Sequence, residues 1–217
     1  MEALNTTLDI ASGTQSLTIS VWFKQSGTAT GNLFGNGTKI VFTTTSNDEL
    51  QLILNDFNPN DRITTSNSPI IAGTWQHLLG RYTSGGDIEV WVDGVLKGSV
   101  TPGGSYASDA GHWDIGSHVT ASSSSPIAGE ITDVAVWFSA LTDSEIKLLA
   151  QSRVKGMPLQ IQGASLQAYY PLDDLPNGHV GVNTDFFIDR TGNRNLADGK
   201  DGDEDTVAIG EAILSYP

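Results

Sequence analysis

The amino-acid sequence predicts an all-β protein of antiparallel strands with one short helix. The most informative stretch is residues 73–100, which predicts a strand, a turn, a strand, a tight turn and a strand. Asp93 and Gly94 lie between apolar segments, and both central positions of a two-residue type I′ turn need a positive φ, which this pair accepts readily. A turn this well marked fixes the register of the hairpin, and the register decides which side chains share a face.

The other predicted strands are rich in β-branched and aromatic residues and are bounded by turn signals. They are expected over residues 16–24, 39–44, 49–54, 112–116, 129–138 and 166–172, with a candidate edge strand over 208–216. The segments between them are polar or contain Gly, Ser, Asn and Asp, which favour turns and loops. Turns or loops are therefore expected over residues 31–37, 55–68, 120–125, 189–193 and 198–205.

One helix is predicted after the strand at residues 129–138. Thr142 and Glu145 form a capping box, in which the hydroxyl accepts from one free backbone N–H and the carboxylate accepts from another. Ile146, Leu148 and Leu149 follow as an apolar face. We expect this short amphipathic helix to run to about residue 152.

The composition excludes several classes of function. The 217 residues contain no cysteine, so a structural disulfide, a thiolate metal site and a cysteine nucleophile are all excluded. The formal net charge of -14 would repel a polyanion, so no nucleic-acid partner is expected. No apolar run reaches about 18 residues, so we expect no membrane insertion. The N-terminus shows neither the basic nor the apolar region of a secretory signal.

Five segments follow one another in a specific order: LTISVWFK, GTWQHLLGRY, DIEVWVDGVLKGS, WDIGS and PIAGEITDVAVWFSALTDSEI. This order resembles the laminin-G-like, concanavalin A-like jelly-roll domains. The resemblance covers roughly residues 4–152 and implies a two-sheet antiparallel jelly-roll sandwich with one short helix. The matching positions are Ile19, Ser20, Trp22, Trp75, His77, Trp91, Val92, Asp93, Gly94, Ile115, Gly116, Gly129, Ile131, Asp133 and Thr142.

The resemblance divides the chain into two parts. Residues 1–155 are expected to form the laminin-G-like β-sandwich. The remainder, with LQAYYPLDD and FFIDRTGNRN, looks like the piece that usually opens such a domain, although here it follows the helix. We therefore expect residues 156–217 to be a C-terminal tail that adds edge strands to the same sandwich. The tail and its ending ILSYP look like those of phage and marine viral structural proteins, which implies a virion component made in the host cytoplasm.

The sequence predicts that the protein is not an enzyme. Laminarinase-type glycoside hydrolases, which share this fold, use E-x-D-x-x-E on one strand so that alternate carboxylates face the cleft. The nearest matches are Asp87 with Glu89 and Glu130 with Asp133, and neither pair has the required spacing. No nucleophile elbow and no phosphate-binding loop is present either. His77 occupies a strand position of the family and is expected to be structural.

The hairpin register predicts a core face and an opposite face. Asp87, Glu89 and Trp91 share the second face, on which Trp91 is expected to pair with Leu96 and Glu89 with Gly98. An aromatic ring beside carboxylate acceptors suits a sugar, so Asp87, Glu89, Trp91 and Leu96 are the candidate ligand or interface residues. Trp91 is expected to be partly exposed, or else covered by the tail or by a neighbouring subunit. The expected core residues are Ile88, Val90, Val92 and Val95.

Two oxygen-rich loops are candidate calcium sites. The resemblance implies calcium, because laminin-G-like and pentraxin-like relatives often bind it through loop carboxylates and carbonyls at the rim of the sandwich. Calcium takes oxygen ligands at six to eight places. The alternative for each loop is a solvated polar segment. The candidate ligands are Asp56 and Asp61 in one loop, and Asp198, Asp201, Asp203 and Asp205 in the other.

Two functions from different classes fit these observations. The first is a non-catalytic structural or adhesion module of a phage virion, such as a capsid decoration or tail protein, which assembles with virion proteins or as a homo-oligomer. The second is a soluble lectin that binds cell-surface or other glycans, with or without calcium. A glycoside hydrolase is the least favoured function because the carboxylate spacing does not fit.

Overall fold

The computed structural model is a sandwich of two antiparallel sheets with one α-helix, so the predicted fold class is confirmed. The structure describes residues 4–7, 15–27, 30–35, 40–54, 62–67, 69–103, 112–116, 119–120, 123–124, 127–152, 154, 156–172, 186–187, 189–192 and 196–198. In this part of the chain, no helix is long and apolar enough to cross a membrane.

The larger sheet has eight strands within the described residues, in the order β15-β16-β1-β10-β3-β4-β5-β6. Their bounds are β1 Leu4–Thr7, β3 Gly31–Gly35, β4 Ile40–Thr44, β5 Leu50–Leu54, β6 Arg62–Thr64, β10 His112–Ile115, β15 Phe186–Phe187 and β16 Leu196–Asp198. A separate ladder joins β11 Val119–Thr120 to β12 Ser123–Ser124.

The smaller sheet has six strands within the described residues, in the order β14-β13-β2-β7-β8-β9. Their bounds are β2 Leu17–Gln25, β7 Trp75–Tyr82, β8 Ile88–Val92, β9 Val95–Val100, β13 Gly129–Trp137 and β14 Leu166–Tyr170. Of the strands in residues 156–217, β14 pairs with β13, β16 pairs with β1, and β15 pairs with β16.

Three segments that were expected to be turns or loops contain strands. Residues 31–37 contain β3, residues 55–68 contain β6, and residues 120–125 contain β12. In β3, Gly35 is required by a close approach, because a Cβ at Gly35 would lie 2.4 Å from the carbonyl oxygen of Ile40. Gly35 was expected to mark a turn. In the structure, Gly35 instead lies in a strand, where it allows the close approach of β4.

The hairpin at residues 88–100 has the predicted type I′ turn, since φ is 50° at Asp93 and 74° at Gly94. Trp91 pairs with Leu96 as predicted. The predicted pair of Glu89 with Gly98 is wrong, because a bulge after Val90 shifts the register and sets Gly98 opposite Val90 and Ser99 opposite Glu89. The bulge turns Gly98 towards the opposite sheet, where a Cβ would lie 3.0 Å from Ile63.

The core prediction for this hairpin is correct for three residues and wrong for one. Ile88, Val90 and Val92 are buried between the sheets, whereas Val95 is 54% exposed beside the turn. The turn is held by Asp93, whose Oδ1 accepts from the backbone N–H of His77 at 2.9 Å and whose Oδ2 accepts from Nε2 of Gln76 at 3.1 Å. Asp93 therefore fixes the turn against β7.

The helix α1 spans Asp143–Gln151 and begins with the predicted capping box. The Thr142 hydroxyl accepts from the backbone N–H of Glu145 at 3.3 Å, and the Glu145 carboxylate accepts from the backbone N–H of Thr142 at 2.7 Å. Ile146 and Leu149 are buried, but Leu148 is exposed, which corrects the predicted apolar face. The helix packs on the outer face of the smaller sheet.

Hydrophobic side chains form two clusters, one on each face of the smaller sheet. The main core fills the space between the two sheets. The second cluster lies on the opposite face of the smaller sheet, under α1 and the segment that follows it. Its members are Leu79, Trp91, Ala135, Trp137, Leu141, Ile146, Leu149, Ile161, Leu166 and Tyr169.

Candidate functional site

Trp91 is buried, which contradicts the expectation of a partly exposed ring. Only 3% of Trp91 is exposed, because α1 and residues of the following segment cover it in the second cluster. The tail and a neighbouring subunit were the two expected covers, and the cover observed is α1 together with Ile161, Leu166 and Tyr169 of the tail. No face of this ring is open to a sugar, so Trp91 serves packing.

Glu89 is engaged in an ion pair beside Trp91. Arg81 binds Glu89 through Nε, and its Nη1 donates to the carbonyl oxygen of Leu141 at 2.5 Å and lies 3.0 Å from the Asp143 carboxylate. Its guanidinium stands 5.2 Å from the centre of the Trp91 ring. Burial alone would lower the pKa of Arg81, but the bonds and charges of Glu89 and Asp143 raise it. Arg81 thus ties the start of α1 to the sheet.

Asp87 and Leu96 lie at the surface without forming a common site with Trp91. The Asp87 carboxylate accepts from the hydroxyls of Ser99 at 2.9 Å and Thr101 at 2.6 Å. These two bonds lower the pKa of the Asp87 carboxyl, Thr101 having the larger effect. Leu96 is 43% exposed on the edge strand β9. The structure therefore separates the four predicted residues into two structural contacts and two surface positions.

The candidate calcium ligands lie almost entirely outside the described residues. This holds for Asp56, Asp61, Asp201, Asp203 and Asp205. Asp198 ends β16, where its backbone pairs with Leu4. Among the residues that the structure describes, no group of three or more His, Asp or Glu side chains is arranged to hold a metal.

The other carboxylate pair considered in the sequence is also engaged. Glu130 forms an ion pair with Lys24 at 3.0 Å, and buried Asp133 accepts from the hydroxyl of Tyr169 at 2.5 Å. Asp133 has a φ of 50° and lies where the pairing of β13 with β2 is irregular. This irregularity follows from backbone geometry, and strand alternation in the sequence gave no sign of it.

A depression on the outer face of the smaller sheet is the best candidate for a ligand site. It lies beside the last turn of α1, between the sheet and the 3₁₀ turn Met157–Gln160. The depression is small. Its volume is about 10 Å³, which holds about one water-sized group. The lining residues are Ser20, Trp22, His77, Asp133, Leu149, Ser152, Val154, Met157 and Pro158.

Trp22 is the aromatic residue of this depression, and it is partly exposed. It stands directly opposite His77 in the pairing of β2 with β7, and the two ring centres are 5.5 Å apart. Val154, on the rim, is strongly exposed. A partly exposed indole beside the hydroxyl of Ser152 has the chemistry of a sugar subsite.

A buried hydrogen bond lies beneath Trp22. The Ser20 hydroxyl and Nε2 of His77 are 2.8 Å apart, and neither residue is more than 2% exposed. Burial lowers the pKa of His77 to about 3, so its ring is neutral at ordinary pH. This pair cannot meet a substrate, and it acts as a structural support, as the sequence predicts for His77.

Sequence reasoning missed this depression although it noted Ser20, Trp22 and His77 as motif positions. Alternation along β2 places Ser20 and Trp22 on one face. Strand alternation does not show where the helix ends. The position of α1 determines that Trp91 is covered and that Trp22 stays partly exposed. The site could have been found by asking which strand tryptophan on the outer face lies next to the C-terminus of α1.

Comparison with known proteins agrees with this architecture. The family model described as the concanavalin A-like lectin/glucanases superfamily matches residues 3–147. No curated protein matches the chain.

Several solved structures share the fold. A Bacteroides ovatus protein thought to bind carbohydrate has 17% identity and a TM-score of 0.65, covering 97% of this chain and 62% of its own. The heptameric SAP-like pentraxin of Limulus polyphemus has 22% identity and a TM-score of 0.52, covering 69% of this chain and 76% of its own. The botulinum neurotoxin serotype G binding domain has 13% identity and a TM-score of 0.50, and the match covers 65% of this chain and 37% of the neurotoxin chain. At these identities the likeness shows the fold alone, and this chain spans 62% of the Bacteroides ovatus protein.

Proposed function

This chain belongs to the laminin-G-like family of the concanavalin A-like lectin/glucanases superfamily, and from that premise we propose that it is a non-catalytic adhesion module that binds carbohydrate at the Trp22 depression. The observation that carries the proposal is the accessible Trp22 ring beside a small polar depression. The fold shared with a Bacteroides ovatus protein thought to bind carbohydrate supports the same choice.

The size of the depression determines how a sugar would bind. A space of about one water-sized group accepts one hydroxyl group, not a whole pyranose ring. The sugar ring would then lie against the accessible part of Trp22, with its apolar C–H face on the indole. Of the polar side chains in the lining, Ser152 is the partly exposed one and could meet a sugar hydroxyl, whereas Ser20, His77 and Asp133 are buried. A neutral glycan is favoured, because the formal net charge of -14 opposes an acidic one.

The state of the carboxylates supports a non-catalytic role. A retaining glycosidase needs two carboxyl groups about 5–5.5 Å apart on either side of the scissile bond. In the part of the chain that the structure describes, Glu89 is bound to Arg81, Glu130 to Lys24 and Asp133 to Tyr169. None of these carboxylates is available as a nucleophile without breaking a contact that stabilises the fold.

A glycan array tests the proposed function. We expect the wild type to bind a limited set of neutral glycans and Trp22→Ala to lose about thirtyfold in affinity, which corresponds to about 2 kcal/mol for a central aromatic anchor. Trp91→Phe is the matched control, because that ring is buried and should leave binding unchanged. Equal binding by the wild type and Trp22→Ala, or no binding by either, would contradict the proposal.

We further propose that the module is part of a phage virion, as a capsid decoration or tail protein made in the host cytoplasm. Support comes from the resemblance of residues 156–217, with the ending ILSYP, to viral structural proteins. The chain would assemble there with virion proteins or with copies of itself. Mass spectrometry of purified particles should recover the chain in a fixed ratio to the capsid protein, and its absence from particles would remove this part of the proposal.

Calcium binding by the two acidic loops is a separate proposal. If a loop binds Ca²⁺ only in the folded state, calcium at about 100 times Kd adds about 2.7 kcal/mol of stability. The Tm should then rise by several degrees with Ca²⁺ and fall with a chelator, at about 2–4 °C per kcal/mol. Two double variants identify the loop: Asp56→Asn with Asp61→Asn in one, and Asp201→Asn with Asp203→Asn in the other. The variant that loses the calcium-dependent rise in Tm carries its substitutions in the loop that binds calcium. A Tm that changes with neither calcium nor chelator would contradict the proposal.

We also propose that residues 156–217 complete the sandwich begun by residues 1–155. Support comes from the pairing of β14 along β13 and from Ile161, Leu166 and Tyr169, which join the second cluster. A chain ending at residue 155 should lose its cooperative thermal transition, because the cover of Trp91 becomes incomplete. If residues 1–155 melt as cooperatively and at the same temperature as the full chain, the two parts are independent.

A further inference from the structure

The two edges of the smaller sheet are protected in different ways. The edge strand β9 contains Lys97, and a charge at this position discourages pairing with another strand. The opposite edge strand, β14, has the sequence LQAYY and carries no charge. Each edge strand has one register shift against its neighbour, which in β14 lies between Leu166 and Ala168. Four of its five residues are buried, namely Leu166, Ala168, Tyr169 and Tyr170. An uncharged, β-prone edge of this kind is suited to pairing with a further strand.

A turn from the C-terminal part of the chain covers this edge. Residues 189–192, here called the clasp, dock on β14 through Asp189, whose exposed fraction is 1%. Its Oδ1 accepts from the backbone N–H of Tyr169 at 2.9 Å and from the backbone N–H of Thr191 at 2.9 Å. Its Oδ2 accepts from the Thr191 hydroxyl at 2.6 Å. The buried carboxylate therefore holds the turn and the strand together.

The clasp occupies both backbone groups of Tyr169 that a neighbouring strand would use. While Asp189 accepts from the Tyr169 N–H, the backbone N–H of Arg190 donates to the Tyr169 carbonyl oxygen at 2.8 Å. In an antiparallel pair one residue exchanges two such bonds with the residue opposite. The clasp reproduces this pattern with one side-chain oxygen and one backbone N–H.

We infer that the clasp prevents β14 from pairing with β14 of a second copy of the chain, and that release of the clasp exposes a self-association surface. Two identical edge strands can pair antiparallel about a two-fold axis, so each copy satisfies the other's backbone groups. Because β14 carries no charge, no like-charge repulsion within the strand opposes this pairing. This inference does not depend on the proposed carbohydrate binding.

The test uses the full-length chain with Asp189→Ala, which removes the side chain of the clasp. We expect the mass in multi-angle light scattering to double relative to the wild type as the concentration rises. At low concentration the Tyr169 amide should exchange its hydrogen at least about tenfold faster, because its acceptor is gone. Arg190→Ala is the matched control, since it keeps the backbone N–H that bonds Tyr169 and should behave as the wild type.

Two further variants separate edge pairing from general destabilisation. Gln167→Lys in the Asp189→Ala chain places a charge on β14 and should restore the wild-type mass. Leu149→Ala weakens the second cluster without touching the clasp, and it should not associate. The inference is overturned if Asp189→Ala keeps the wild-type mass and exchange rate. It is equally overturned if Gln167→Lys does not suppress association, or if Leu149→Ala associates to the same extent.

Discussion

Trp91→Ala is expected to lower the free energy of unfolding by about 3–5 kcal/mol, the range found when large buried aromatic side chains are truncated. Trp91 is 3% exposed within the second cluster. Its removal would leave a cavity under α1 and take away the ring over which the Arg81 guanidinium lies. Urea unfolding, followed by circular dichroism, measures the loss.

Trp91→Phe is the matched control for this prediction. Nε1 of Trp91 is buried and makes no hydrogen bond in the structure. Phenylalanine therefore loses volume but no hydrogen bond, and it should cost much less than alanine. If Trp91→Ala unfolds within about 1 kcal/mol of the wild type, the range of ordinary surface substitutions, the ring is not a core residue, and the sugar-binding face first expected around it becomes viable again.

Acid is expected to destabilise the protein through His77. Burial lowers the pKa of His77 from 6.5 to about 3, so below pH 6.5 the unfolded chain binds a proton that the folded chain does not. The free energy of unfolding should then fall by about 1.4 kcal/mol for each pH unit from this residue alone. Over the interval down to about pH 3 the loss from this residue approaches about 5 kcal/mol.

His77→Gln isolates this contribution from that of the carboxylates. Glutamine can keep a hydrogen bond to Ser20 but does not titrate, so the stability of the variant should depend less steeply on pH between 6.5 and 3. Asp133 lines the same depression as His77, and Asp93 accepts from the backbone N–H of His77; both carboxylates are present in the wild type and in the variant. Parallel profiles for the wild type and His77→Gln would show that His77 is not buried and neutral in the folded state.

Local signals predicted the elements of this fold well. The Asp93 and Gly94 turn and the Thr142 and Glu145 capping box depend on contacts within a few residues, and both are confirmed. The errors came from contacts between distant segments. Gly35 is explained by the approach of β4, and the register of Glu89 by a bulge that turns Gly98 towards Ile63.

The candidate site was harder to predict than the fold. Alternation correctly placed Trp91 opposite the core face of β8, but it could not show that α1 would return over that face. Trp22 on β2 is partly exposed, as is Trp75 on β7, and Trp22 is the tryptophan that lines the depression beside the end of α1. Whether an aromatic side chain is exposed therefore depends on where other elements pack, and the periodicity of the sequence carries no such information.

The central claim is that carbohydrate binds at the Trp22 depression, and nuclear magnetic resonance tests it most directly. The strongest glycan from the array is added to ¹⁵N-labelled protein, and the indole N–H of Trp22 and the amides of Ser152 and Val154 are followed. We predict that these signals shift together and saturate, and that the amide shifts vanish in Trp22→Ala. Shifts confined to other surfaces, such as the β9 edge around Leu96, or no shift with any glycan, would contradict the claim.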